Sequence, residues 1–136
     1  MTASATELPF AVYGTLRVGQ PNAARWAELA GASCGWRLDG YRLVGAGRGF
    51  PYVIPDPTAV TVVDLIVPDP DHAATVLRRL DELEGVPFHY ERHTCVVTRG
   101  HDLRVAWLYV PAEPERYADL TDVADGDWCA HAWARR

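Results

Sequence analysis

Ala59-Val60-Thr61-Val62-Val63-Asp64-Leu65-Ile66-Val67 is almost continuously apolar, broken only by Thr61 and Asp64. After Pro68-Asp69-Pro70 the pattern changes, and Asp71-His72-Ala73-Ala74-Thr75-Val76-Leu77-Arg78-Arg79-Leu80-Asp81-Glu82-Leu83-Glu84-Gly85 spaces its apolar residues at helical intervals. The first run suits a central strand covered on both faces. The second predicts a helix over 72–84, with Asp71 as N-cap and Gly85 as its stop. A buried strand leading directly into an amphipathic helix calls for a sheet with a helix packed on it.

Outward from this pair, the chain reads mostly as β. Pro9-Phe10-Ala11-Val12-Tyr13 is a short buried strand ending at Gly14. A loop with two glycines and a proline follows, and Asn22 is placed to cap a helix over 23–30 that would end at Gly31. Residues 34–67 read as strands, with Phe50-Pro51-Tyr52-Val53-Ile54 as a separate short piece. Tyr90 to Thr98 and Arg104 to Val110 alternate as two strands joined by a turn at Arg99-Gly100-His101-Asp102. A short helical turn near Arg116-Tyr117 and the Gly126-Asp127-Trp128 segment complete the chain. The class is α+β around a curled sheet. The 136 residues fit a disordered tail over 1–8 and a single domain over 9–136.

Composition narrows the function. Net charge is −5 with scattered basic residues, so no nucleic-acid partner is expected. Cys34, Cys95 and Cys129 form no CxxC pair, and the histidines lack zinc-type spacing, so neither a metal nor a cofactor is expected. No apolar run reaches membrane-spanning length, and Met1 to Leu8 lacks a signal-peptide pattern. The expectation is a cytoplasmic protein without a membrane partner; the oligomeric state is not legible.

At about 100° per residue, Ala73, Val76, Leu77, Leu80 and Leu83 form one stripe, and Glu84 lies within it, while Arg78, Arg79 and Glu82 face water. An inward carboxylate at a helix C-terminus loses hydration and opposes the helix dipole, and both effects raise its pKa toward the range of a general base. The same position is compatible with a swing out to solvent, or with a buried ion pair to Arg17 or Arg92.

Tyr13-Gly14-Thr15-Leu16-Arg17-Val18-Gly19-Gln20-Pro21-Asn22 resembles the N-terminal signature of the gamma-glutamylcyclotransferase-like family. Leu80-Asp81-Glu82-Leu83-Glu84-Gly85, followed by Tyr90 and Arg92, resembles its second signature, and Gly126-Asp127-Trp128 a weaker third. The family includes γ-glutamylamine cyclotransferases, plant avirulence-induced-gene-2-like proteins and the enzyme that unmasks butirosin-type antibiotics. The resemblance implies a small six-stranded barrel-like sheet with a few packed helices. It implies release of 5-oxoproline from a small-molecule γ-glutamyl amine, with Glu84 as catalytic acid/base. Tyr13, Gly14, Thr15, Leu16 and Tyr90 then stand at the substrate-binding positions. The step from Glu84 to Tyr90 is closer to the γ-glutamylamine branch. The family's Gly-Glu-Leu-Tyr strand is replaced by Val63-Asp64-Leu65-Ile66, which raises the prospect of an altered pocket. A catalytically silent ligand-binding domain of the same fold is the alternative.

Read from chemistry alone, the Gly14-Thr15-Leu16 amides suit an anion nest or a plain turn. As a nest they would hold either the substrate's α-carboxylate or the developing oxyanion. The leaving amine is open among a lysine side chain, a polyamine, an amino acid and a protected metabolite.

Overall fold

The structure is a computed structural model and describes residues 7–130; most of the tail expected over 1–8 lies outside them. Five strands form a closed barrel: β1 (Phe10–Val12), β2 (Ala30–Val44), β3 (Tyr52–Pro68), β4 (Tyr90–Arg99) and β5 (Asp102–Pro111), in the order β1-β3-β2-β4-β5. All neighbours are antiparallel except β1 and β5, which close the barrel in parallel. The α-helix packed on the barrel is α1 (Ala73–Glu84).

The count is five strands rather than six because the two β pieces read around Phe50 to Val67 are one bent strand. In β3 the pairing jumps from Val60, opposite Asp39, to Pro55, opposite Tyr41. The residues between them include Pro57, which has no N–H for a ladder. Asp56 closes a local turn there by accepting the Thr58 amide at 3.0 Å. Gly40, with φ of +90°, lets β2 bulge at the same point and follow the bend.

Val63, Leu65 and Ile66 are wholly buried in β3, as the continuous apolar run requires. Alternation splits them between two cores. Ala11, Tyr13, Val63 and Leu65 fill the barrel interior with Trp36, Leu108 and Trp128. Phe10, Val12 and Ile66 point outward and meet Val76 and Leu80 of α1. The helical stripe is therefore what seats α1 against the barrel wall.

Both helix starts depart from expectation. Residues 23–30 form only a 3-10 turn at Ala23–Arg25, and Ala30 opens β2. Trp26 is drawn under the preceding loop, where its indole N–H donates to the Leu16 carbonyl at 2.8 Å. That tertiary bond, with burial of the ring, outweighs the small local helix propensity. Asn22 caps nothing; its side chain donates instead to the Thr15 hydroxyl at 2.9 Å. Asp71 lies within a 3-10 turn, Pro70–His72, that leads into α1 without a side-chain cap. The C-terminal end of α1 matches expectation. Gly85 is left-handed at φ +67°, and the Val86 amide donates back to the Asp81 carbonyl at 3.1 Å.

Candidate active site

A cavity of about 560 Å³ opens where β1 ends, between the loop after β1, the start of β3, the C-terminal end of α1 and the start of β4. Tyr13, Gly14, Thr15, Leu16, Glu84 and Tyr90 all line it. Residues separated by some seventy positions in sequence are thus brought to one concave surface, for a different local reason in each case.

The loop after β1 is built from turns. The Arg17 amide donates to the Gly14 carbonyl at 3.0 Å, and the Asn22 amide donates to the Thr15 carbonyl at 2.9 Å. With the Leu16 carbonyl accepting from Trp26, the loop carbonyls are engaged on the protein side. The Thr15 and Leu16 amides donate to no group among the described residues, which leaves two N–H groups at the cavity wall. Gly14 is needed for packing rather than for a special φ. A Cβ there would lie 2.7 Å from the Pro51 ring, so only glycine lets Pro51 close against the loop.

Arg17 anchors this loop from beneath. It is buried, and its guanidinium donates to Asp64 at 3.1 Å and to Asp127 at 2.7 Å. Asp64 also accepts the Val18 and Gly35 amides at 3.1 and 3.2 Å. This rules out Arg17 as a partner of Glu84. It also changes the meaning of the Val63-Asp64-Leu65-Ile66 departure. None of those four residues lines the cavity; Asp64 instead supplies the carboxylate that fixes the loop.

The last turn of α1 is clamped by a second network. Asp81 accepts from the Tyr109 hydroxyl at 2.7 Å and from Arg92 at 3.2 Å, and the Arg92 guanidinium lies 4.5 Å from the centroid of the Trp107 ring. Arg92 therefore pairs with Asp81 rather than Glu84, with its side chain 21% exposed. With both candidate cations engaged elsewhere, Glu84 has no salt-bridge partner among the described residues. Burial alone pushes its carboxyl pKa up from the usual 4.5 to about 7.

Around Glu84 the wall is phenolic. Burial raises the Tyr13, Tyr90 and Tyr109 hydroxyls above their ordinary values, and the negative charge of Glu84 adds to each. All three remain neutral hydrogen-bonding groups at physiological pH. The Tyr13 hydroxyl donates to the Tyr109 carbonyl at 2.8 Å and also lies within hydrogen-bonding reach of the Tyr90 hydroxyl.

Sequence reasoning undervalued other parts of the site. Pro51 and Tyr52, from the short piece read over 50–54, line the cavity. Tyr109, in the strand read over 104–110, is buried in the core and also lines the cavity. Phe50, His89 and Tyr117 complete the wall, and no local signal marks them, since they arrive from separate loops. Trp128 lies buried in the barrel core. Among the described residues no cluster of three metal-ligating side chains occurs, and no helix is long and apolar enough to cross a membrane.

Solved structures with this fold include YkqA from Bacillus subtilis, at 22% identity and a TM-score of 0.68 over 94% of this chain; the chain spans only 42% of that protein. A protein from Pyrococcus horikoshii matches at 21% identity and a TM-score of 0.69, covering 94% of this chain and 95% of its own. An AIG2-like protein from Mus musculus matches at 21% identity and a TM-score of 0.66, over 89% and 87% of the two chains. At these identities the likeness is one of fold. No curated protein sequence matches the chain. Residues 10–130, which contain the whole barrel, its helix and every lining residue of the cavity, match the family described as gamma-glutamyl cyclotransferase, AIG2-like, and the chain belongs to that family.

Proposed function

We propose that the protein is a cyclotransferase acting on a γ-glutamyl amine or amide, releasing 5-oxoproline and the free amine, with Glu84 as the acid/base. The observation that carries the reading is an unpaired carboxylate, poised by burial near pH 7, in a cavity that also presents two free backbone amides.

The substrate carries its own nucleophile. Its α-amine attacks the γ-carbonyl carbon, forming the C–N bond of a five-membered lactam, and the bond to the leaving nitrogen breaks. One proton is lost from the attacking ammonium and one is gained by the leaving amine, so a single carboxylate can carry it between them. A group with pKa near 7 is well matched to both steps. Holding the glutamyl chain folded removes an entropic barrier worth about 7–11 kcal/mol in the best intramolecular cases. The Thr15 and Leu16 amides are positioned to bind an oxyanion or the α-carboxylate. In this reading the Tyr13 hydroxyl, whose proton is given to the Tyr109 carbonyl, offers its oxygen to the substrate's ammonium before deprotonation.

The test is incubation with a panel of γ-glutamyl amides and measurement of 5-oxoproline. Release is expected from wild type, with kcat/KM rising as pH increases through about 7 as Glu84 ionises. Glu84→Gln is expected to lower the rate by at least a hundredfold. Activity that survives this substitution refutes the assignment.

A further inference from the structure

The cavity is larger than a five-carbon glutamyl group requires; its volume is in the range that encloses a drug-sized molecule. One part of its lining is a connected set of rings, Tyr90, Tyr52, Tyr117 and Phe50. We infer that this part is an aromatic subsite for the leaving amine, selecting γ-glutamyl amides whose amine has a flat apolar body and no second cationic group. The inference rests on the cyclotransferase reading above and names its substrate class.

Three observations carry it. The first is the arrangement of the rings. Tyr52 and Tyr117 stack face to face, with centroids 3.8 Å apart and planes within 10°. Tyr90 lies parallel to Tyr52 at 6.3 Å, and Phe50 meets it edge-on at 5.5 Å and 67°. Stacking uses one face of Tyr52 and one of Tyr117, which leaves fewer open faces and proportionately more ring edge for a ligand. A cation is attracted to ring faces, whereas an edge is complementary to the face of another aromatic ring.

The second is charge. Glu84 is the only carboxylate among the described lining residues, and it is committed to the reaction. A polyamine or lysine-type leaving group would bring an ammonium with no anion to receive it, which is costly in a desolvated site. Arg48 and Arg116 both act on the Tyr52 hydroxyl in the sense of nearby positive charge, which disfavours a cation further.

The third is rigidity. Val44, Ile54 and Leu120 pack behind Tyr52, Tyr90 and Tyr117 in one apolar cluster, so the wall is held in place before a ligand arrives. Phe50 is 48% exposed, a large apolar surface left at the cavity mouth.

The experiment compares the γ-glutamyl derivatives of benzylamine, methylamine and putrescine, and Nε-(γ-glutamyl)lysine, as substrates of the full chain. The benzylamide is expected to exceed both ammonium-bearing substrates in kcat/KM by at least tenfold. Tyr117→Leu is expected to reduce the benzylamide-to-methylamide ratio about tenfold, and Tyr117→Phe to preserve it. A putrescine or lysine derivative that matches the benzylamide overturns the inference, as does a ratio insensitive to Tyr117→Leu with the protein folded. Calorimetric binding of the same four compounds separates the two readings. Tenfold tighter binding of the benzylamide without release of 5-oxoproline from any compound would keep the subsite and refute the cyclotransferase. Turnover without aromatic preference would do the reverse.

Discussion

Replacing Glu84 by Gln tests the electrostatic core of the site through stability, independently of any substrate. Burial raises the carboxyl pKa from 4.5 to about 7, with no cation to offset the loss of hydration. Between those two pH values the native state holds a proton that the unfolded chain has released. The native state binds the more protons there, so stability falls as pH rises through this window. Below about 4.5 both states are protonated and nothing is lost; above about 7 both are ionised and the whole loss stands. At 1.36 kcal/mol per decade of pKa, the full effect is about 3 kcal/mol. Glu84→Gln removes this one titration and leaves every other group in place.

Urea denaturation of both proteins at pH 4.5, 5.5, 6.5 and 8 gives the difference in unfolding free energy as a function of pH. The variant is expected to gain about 3 kcal/mol on wild type across that range, which at ordinary denaturant sensitivities moves the relative midpoint by about 1–3 M urea. The offset at any single pH also contains the cost of the new amide's unsatisfied N–H groups, about 1–3 kcal/mol, so the slope is the readout. A difference that is flat with pH refutes the desolvated carboxylate. A difference that moves against the variant as pH rises would show that Glu84 is stabilised by a cation.

Asp64→Ala leaves the buried Arg17 with only its Asp127 contact and removes the acceptor of two backbone amides, so a loss of about 3–5 kcal/mol is expected by denaturation at pH 7; a loss below 1 kcal/mol would sink the anchoring role. Gly14→Ala places a Cβ 2.7–2.8 Å from two carbons of the Pro51 ring and must push Pro51 away from the loop. The expected result is a tenfold or greater rise in KM for γ-glutamyl amides with a stability loss of about 1–3 kcal/mol, and an unchanged KM would refute the role of that contact in shaping the cavity.

Some of this was legible locally. The helical phase of residues 73–84 placed Glu84 on the packed stripe, because the period of a helix fixes which face a residue takes without reference to anything else. The left-handed Gly85 stop, the Gly100 turn and the buried run Val63 to Ile66 are likewise consequences of short-range sterics and hydrophobicity. The order of the Tyr13-Gly14-Thr15-Leu16 and Glu84-Gly85 signatures carried the resemblance to the family to which the chain belongs.

Contacts between distant segments were not legible, because they depend on which side chain wins a competition in space. Residues 23–30 have a helical pattern, yet Trp26 gains more by burial and a bond to Leu16. Arg17, Arg92 and Glu84 offered several pairings; the register of β1 on β3, with Val12 opposite Asp64, gave Arg17 to Asp64, the register of β4 on β5 gave Arg92 to Asp81, and Glu84 was left without a salt bridge among the described residues. The sequence by itself determined that a carboxylate would point inward at the end of the helix. Only the tertiary structure decided that it would remain unpaired, because a pKa near 7 depends on which cations the rest of the fold has already engaged.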